Sequence, residues 1–172
     1  ISTIIAQAAI AAGLDVKTNE VHGMAQRGGS VLAQVRFGPK VFSPLVWEGM
    51  VDILISLEKA EALRYAHYLK PGGLAVVSDQ IIVPVTVSSG KAAYPADVDE
   101  RLARAFPRLV SVDAEGIARE LGNQKAANVV VLGAAAPSMP ELAPHWQSAL
   151  GSCVPEKHLE LNTRAFLAGG ER

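Results

Sequence analysis

The richest chemistry in this chain lies in Glu20, His22, Gln26, Arg27, Gly28, Gly29 and Ser30, within the run Glu-Val-His-Gly-Met-Ala-Gln-Arg-Gly-Gly-Ser. One short segment gathers a carboxylate, an imidazole, an amide, a guanidinium, a hydroxyl and glycines. Without a Cβ, Gly28 and Gly29 let backbone N–H groups approach a ligand or partner closely. The planar five-donor head of Arg27 suits a carboxylate or a phosphate. These seven residues form the candidate set for ligand binding or for a subunit junction. A plainer reading stands beside it, in which the glycines only bend the chain ahead of the next strand.

Elsewhere the sequence offers little that could react. His22, His67, His145 and His158 lie far apart, and none pairs with another His or Cys at metal-ligand spacing. Cys153 sits in Gly-Ser-Cys-Val-Pro with no histidine at motif spacing, and there is no Gly-x-Ser-x-Gly elbow. No catalytic residue and no metal ligand is therefore expected. The acid pairs Glu58/Glu61 and Asp97/Asp99/Glu100 read as solvated helix starts that complement the helix dipole. Lys70-Pro71-Gly72-Gly73 precedes a strand rather than a helix, the wrong order for a phosphate cradle, and reads as a turn.

The elements that must carry these residues follow from the apolar spacing. Ile4, Ile5, Ala8, Ala9 and Ala12 recur at helical intervals and stop at Gly13, and Leu14, Val16 and Thr18 alternate as a short strand. Residues 20–30 read as a loop, followed by a strand at Val31, Ala33, Val35 and Phe37. Val51–Leu57 is almost continuously apolar and reads as a central buried strand. A helix over Glu58–Leu69, a strand over Leu74–Ser78 and an edge strand or extended arm over Ile81–Val87, which contains Pro84, come next. A helix at Asp97–Ala105, a strand at Leu109–Val112 and a helix at Ala114–Leu121 capped by Asp113 continue the pattern. Gln124–Ala136 suits either a strand or a helix at Val129–Leu132, with its length and alanines favouring a buried helix, and Glu156–Leu167 reads as a last helix, begun by Pro155 and ended by Gly169-Gly170.

Strands alternating with helices indicate an α/β, Rossmann-like layered domain with a largely parallel sheet, spanning residues 1–172 as one domain. An opening helix needs a strand to pack on, so a first strand and its loop are expected ahead of Ile1.

Composition closes off several function classes. The chain has 172 residues, 49% hydrophobic and 19% charged, with a net charge of −1. It can build a core, and it has no basic block of the kind nucleic acid attracts. Its apolar runs are too short to cross a bilayer, so no membrane partner is expected. The single cysteine rules out an internal disulfide and suggests a reducing, cytoplasmic setting. A protein-held iron–sulfur cluster normally takes four thiolates, which one cysteine cannot supply.

Residues 20–31, Glu-Val-His-Gly-Met-Ala-Gln-Arg-Gly-Gly-Ser-Val, resemble the signature of the small (beta) subunit of indolepyruvate:ferredoxin oxidoreductases, within the gamma-subunit family of 2-oxoacid:ferredoxin oxidoreductases. Leu57-Glu58, Lys70-Pro71-Gly72-Gly73, Gly122-Asn123, Asn128, Leu132-Gly133, Asn162, Ala165-Phe166 and Gly169 extend the resemblance along the chain. The family's usual opening strand and Gly-x-Gly-Gly-Gln-Gly loop are not in this sequence.

The resemblance implies CoA-dependent oxidative decarboxylation of a 2-oxoacid, an aryl pyruvate in the indolepyruvate enzyme, to an acyl-CoA with ferredoxin as acceptor. It implies that a larger partner subunit carries thiamine diphosphate, Mg and iron–sulfur clusters, that this chain binds no cofactor alone, and that it is inactive alone. Two other readings stay open. One is the gamma subunit of a pyruvate or 2-oxoglutarate enzyme; the other is a stand-alone α/β ligand-binding module.

Overall fold

The chain alternates between segments that satisfy their backbone locally and segments that need a neighbour, and that alternation builds the layers. In the computed structural model the described residues are 1–22, 31–83, 85–88, 90 and 93–171, apart from the side chains of His22, Val85 and Thr86. Helix α1 (Ser2–Ala11) leads through Gly13, which has a positive φ of 76°, into β1 (Asp15–His22). Strand β1 pairs antiparallel with β2 (Val31–Gly38), Asp15 opposite Gly38 and His22 opposite Val31. Strands β3 (Val51–Ser56), β4 (Leu69–Ser78) and β5 (Leu109–Val112) form a separate, wholly parallel sheet.

Strand β4 is the centre of that sheet, in the order β3–β4–β5. This corrects the reading of Val51–Leu57 as central. Ile53 and Ile55 face one core, and Leu54 faces the other. A strand reads as continuously apolar when both of its faces are covered, which says nothing about whether both of its edges are paired. Among the described strands β3 pairs only with β4, and its other edge lines an open cleft of about 1840 Å³.

The alternation of β4 separates two cores. Leu74 and Val76 point to a core built from α1, α5 (Ala114–Glu120), α6 (Ala127–Ala135), α7 (Trp146–Cys153) and α8 (Glu156–Gly170). Ala75 and Val77 point to a second core, with Ala62 from α2 (Lys59–Arg64) and Val98 and Leu102 from α4 (Val98–Ala105), closed by Phe106. A short α3 (Val85–Ser88) lies between β4 and α4. The hairpin of β1 and β2 rests on α1, and α1 in turn packs on α7.

Several local expectations hold. Asp113 accepts the N–H of Gly116 at 2.8 Å and caps α5, β5 has the expected bounds, and α6 is buried on almost every side, as a helix apolar at every position but Asn128 must be.

Others are corrected. The helix over Glu58–Leu69 is only α2 followed by one 3₁₀ turn, Ala66–Tyr68. Lys70-Pro71-Gly72-Gly73 lies inside β4, where the pairing jumps from Val51↔Leu69 to Ile53↔Leu74; it is a bulge in the ladder. Val85–Ser88 is helical rather than extended, since a preceding proline suits the start of a helical turn as well as an edge strand.

Gly169 and Gly170 do not end α8; they lie in its last turn. A Cβ on Gly169 would fall 2.0 Å from the Val130 carbonyl oxygen, and one on Gly133 would fall 2.0 Å from the Phe166 carbonyl oxygen. The two helices cross backbone to backbone, each supplying the other's glycine with a carbonyl. Neither obstacle is a flexible side-chain end, so the helices would have to move apart. Gly133→Ala and Gly169→Ala are each expected to destabilise the fold by about 3 kcal/mol, the upper range for overpacking. Chemical denaturation of the two variants checks this, and Gly151→Ala, with nothing within 4 Å, is the neutral control.

Candidate functional site

The hairpin carries the residues that the sequence singles out. Glu20 and His22 are in β1, opposite Ala33 and Val31, and so belong to a strand rather than to the expected loop. Cross-strand pairing extends order beyond what the alternation of Leu14, Val16 and Thr18 implies. Glu20 is exposed and lines a groove of about 330 Å³ with Thr3, Gln7 and Asn19. Gln26, Arg27, Gly28, Gly29 and Ser30 lie outside the described residues, within the connection between β1 and β2. Val21 and Val31 flank that connection and expose their side chains, as Ile81, Ile82 and Val83 do ahead of Pro84, which itself lies outside the described residues.

The segment after β2 turns back along the hairpin. Asp15, at its base, accepts the N–H of Val41 at 2.9 Å and the ammonium of Lys17 at 2.8 Å. The Lys17 bond and then the Val41 bond hold the Asp15 carboxyl below the usual carboxylate range. Further up, Arg36 donates to the carbonyls of both Ser43 and Leu45 at 2.9 Å, and Gln34 accepts from Val46 at 3.2 Å. Residues 41–46 therefore climb β2 from its base toward its tip. Phe42 and Trp47 are 89% and 83% exposed along this path, with Leu45 and Met50 also outside. Sequence reasoning passed over this stretch. The available signal was four large apolar residues within nine, in neither helical nor strand spacing and broken by Pro44 and Gly49.

Ligands of open α/β sheets sit beyond the carboxyl ends of the strands, so that edge needs its own test. Glu58, just past β3, is buried, 6% exposed. This corrects its reading as a solvated acid. Its carboxylate accepts the Tyr94 hydroxyl at 2.5 Å and the Glu61 N–H at 2.8 Å. Lys59 bonds Asp99 at 2.7 Å and lies 3.9 Å from Asp79, and Asp79 accepts from Ser111. These polar groups are spent on one another, and the cluster works as a clasp between β3, β4, β5 and α4. No local pattern announces it, because Glu58 and Tyr94 are 36 residues apart. Among the described residues no group of three or more His, Cys, Asp or Glu could hold a metal ion, and no helix is long and apolar enough to cross a membrane.

A three-stranded parallel α/β layer with a self-satisfied polar cluster at its carboxyl edge, and an antiparallel hairpin beside it, defines the class of domain. Residues 1–172 match the family described as Pyruvate ferredoxin/flavodoxin oxidoreductase, and the chain belongs to that family. It is similar to indolepyruvate oxidoreductase subunit IorB of Archaeoglobus fulgidus, 44% identical over 98% of this chain and 85% of the relative. It is likewise similar to the subunit of that name from Pyrococcus horikoshii, 41% identical over 98% and 86%.

Among solved structures it resembles the gamma subunit of a keto/oxoacid ferredoxin oxidoreductase from Geobacter sulfurreducens, with TM-score 0.70 and 24% identity over 99% of this chain and 87% of that one. It also resembles a 2-oxoglutarate:ferredoxin oxidoreductase from Magnetococcus marinus, with TM-score 0.64 and 21% identity over 98% of this chain but 27% of that one.

The clasp yields a prediction. Burial, reinforced by the Glu58 bond, raises the Tyr94 pKa above its ordinary value. A pKa raised on folding adds stability that is intact below the unfolded value, about 10, and is lost as pH climbs above it. Tyr94→Phe strips a donor from a buried carboxylate and should cost about 1–3 kcal/mol near neutral pH. The gap between wild type and variant should shrink above about pH 10. Denaturation midpoints across that range check both statements.

Proposed function

We propose that this chain is the small subunit of a 2-oxoacid:ferredoxin oxidoreductase acting on indolepyruvate and related aryl pyruvates. The observation that carries this reading is the likeness to indolepyruvate oxidoreductase subunits at 32–44% identity across 98% of the chain. The reaction is CoA-dependent oxidative decarboxylation to an acyl-CoA, with electrons passed to ferredoxin. One thiol does not fit an iron–sulfur cluster, so the clusters, with thiamine diphosphate and Mg, belong to a larger companion subunit. This chain, a single domain in a cytoplasmic complex, contributes shape and binding surface.

Its working part in this reading is the tip of the hairpin. Glu20, His22, Gln26, Arg27, Gly28, Gly29 and Ser30 stand at the subunit junction, with Arg27 meeting an anion there, either a carboxylate of the companion or an acidic group of CoA. Positioning alone can govern a large rate factor, because a misplaced cofactor or lid loses alignment without losing any reacting group. The pyruvate and 2-oxoglutarate alternatives have weaker support, since the likeness to solved enzymes of those kinds is one of fold, at 20–21% identity.

Reconstitution tests the proposal. The companion subunit alone, then with this chain added, is assayed for viologen or ferredoxin reduction with indolepyruvate and CoA. Turnover that needs both chains is expected; full activity of the companion alone, or cluster absorbance from this chain alone, overturns the reading. In the assembled enzyme Arg27→Lys keeps the charge and loses the two-pronged donor, so activity or CoA affinity should fall by about tenfold or more. Unchanged assembly and kinetics would reduce Arg27 to a bend-side residue.

A further inference from the structure

We infer that the face formed by Phe42, Leu45, Trp47 and Met50 is the main docking surface for the companion subunit, which meets it with an apolar groove that accepts the two aromatic rings. This rests on the subunit reading above and assigns the contact to residues outside the motif of 20–31.

Four observations carry it. The first is exposure: Phe42 and Trp47 are almost wholly bare, and Leu45 and Met50 are more than half so. Large aromatic side chains offer roughly 150–250 Å² each. Two of them, with a leucine and a methionine, present roughly 500 Å² of the 800 Å² or so that one partner gives to a standard interface. Isolated soluble chains rarely leave so much large apolar surface bare within nine residues.

The second is pre-organisation. The loop is held by Asp15 at Val41, by Arg36 at Ser43 and Leu45, and by Gln34 at Val46. The Met50 N–H returns to the Trp47 carbonyl at 3.2 Å, and the Gly49 N–H bonds the His67 carbonyl at 2.9 Å. A loop ordered before binding spares the complex the entropy of ordering it.

The third is composition. Tryptophan, phenylalanine and methionine are the types enriched at interface centres, where charge is depleted. The nearby charges have partners of their own: Glu48 lies 3.7 Å from His67, Lys40 lies 3.9 Å from Asp15, and Arg36 donates to two carbonyls.

The fourth distinguishes a companion from a second copy of this chain. The relatives of high identity are named as subunits, and the same fold makes up 27% of one chain in the Magnetococcus marinus enzyme, so there it is one part of a longer polypeptide. The aromatic loop also runs along β2, the strand into which the proposed junction residues lead.

The test uses the chain and its companion, purified separately and mixed. Phe42→Ser/Trp47→Ser alters two nearly bare side chains, so circular dichroism and Tm should match wild type. Its Kd for the companion should rise by about 100-fold or more, as expected for two central aromatic anchors. Leu167→Ser, an exposed apolar change on α8, should leave Kd alone.

Fluorescence gives a second readout. Of the two tryptophans Trp146 is buried and Trp47 bare, so quencher-accessible emission reports Trp47 and should become shielded as companion is added. An unchanged Kd in the double variant, or quenching unaffected by saturating companion, overturns the docking face while leaving the subunit reading intact. A self-association of the isolated chain that the double variant abolishes, with companion binding unaltered, overturns it in favour of a second copy. Wild type that binds no companion at all overturns the subunit reading itself, and this inference with it.

Discussion

The contact between α6 and α8 is the constraint on which the rest of the layer depends. Helix α6 lies against all three parallel strands on one side and against α8 on the other, with α5 alongside. Its buried run Val129, Val130, Val131, Leu132, Gly133 and Ala135 leaves no face for solvent. Such a helix is stable only if something covers its outer side, and α8, mixed polar and apolar in composition, lies there. What lets α8 serve as that cover is the absence of side chains at Gly133 and Gly169, which brings backbone against backbone. With that distance set, Ala165 and Phe166 reach the core, and Phe166 meets Trp146 of α7 with ring centroids 5.6 Å apart. Helix α7 supports α1, and α1 supports the hairpin. The β1–β2 hairpin is thus held through a chain of contacts that begins at two glycines.

The molecule divides its polar chemistry between an inward and an outward use. At the carboxyl edge of the sheet, Glu58, Tyr94, Lys59, Asp79, Asp99 and Ser111 are paired with one another. A buried carboxylate is tolerable there because two donors reach it, and the bonds clasp segments distant in sequence. On the hairpin the arrangement is reversed. Asp15, Gln34 and Arg36 spend their hydrogen bonds on the backbone of residues 41–46, and that leaves large apolar side chains facing out. Polar groups thus order a loop whose apolar groups are left for a partner. Such a division suits a subunit of a larger complex.

Much of this was legible beforehand because it is local. Asp113 at a helix start, Gly13 after a helix, and the alternation over Val31–Phe37 each express the preference of a few neighbouring residues, and each element formed where expected. The motif at 20–31 was legible for another reason. Its unusual mixture of side chains is a property of the sequence itself, and the family it resembles is the one to which the chain belongs. The misreadings also share a cause. Val51–Leu57 looked central because apolarity registers covered faces and is blind to edges. Gly169-Gly170 looked like a stop because glycine ends helices more often than it serves a crossing.

By itself, then, the sequence determined the class of layer, most of its elements, the want of thiols for a cluster, and the segment with the densest chemistry. These depend on composition and on spacing within a turn or a strand. The tertiary structure alone decided that β4 rather than β3 is central and that Glu58 is buried against Tyr94. It alone decided that Gly133 and Gly169 are contact points and that Phe42 and Trp47 stand outside on a braced loop. Each of those is a relation between segments far apart in the chain. Whether an edge is paired, a carboxylate finds its donor or an indole finds cover depends on which distant backbone arrives beside it, and that is settled only when the layers close.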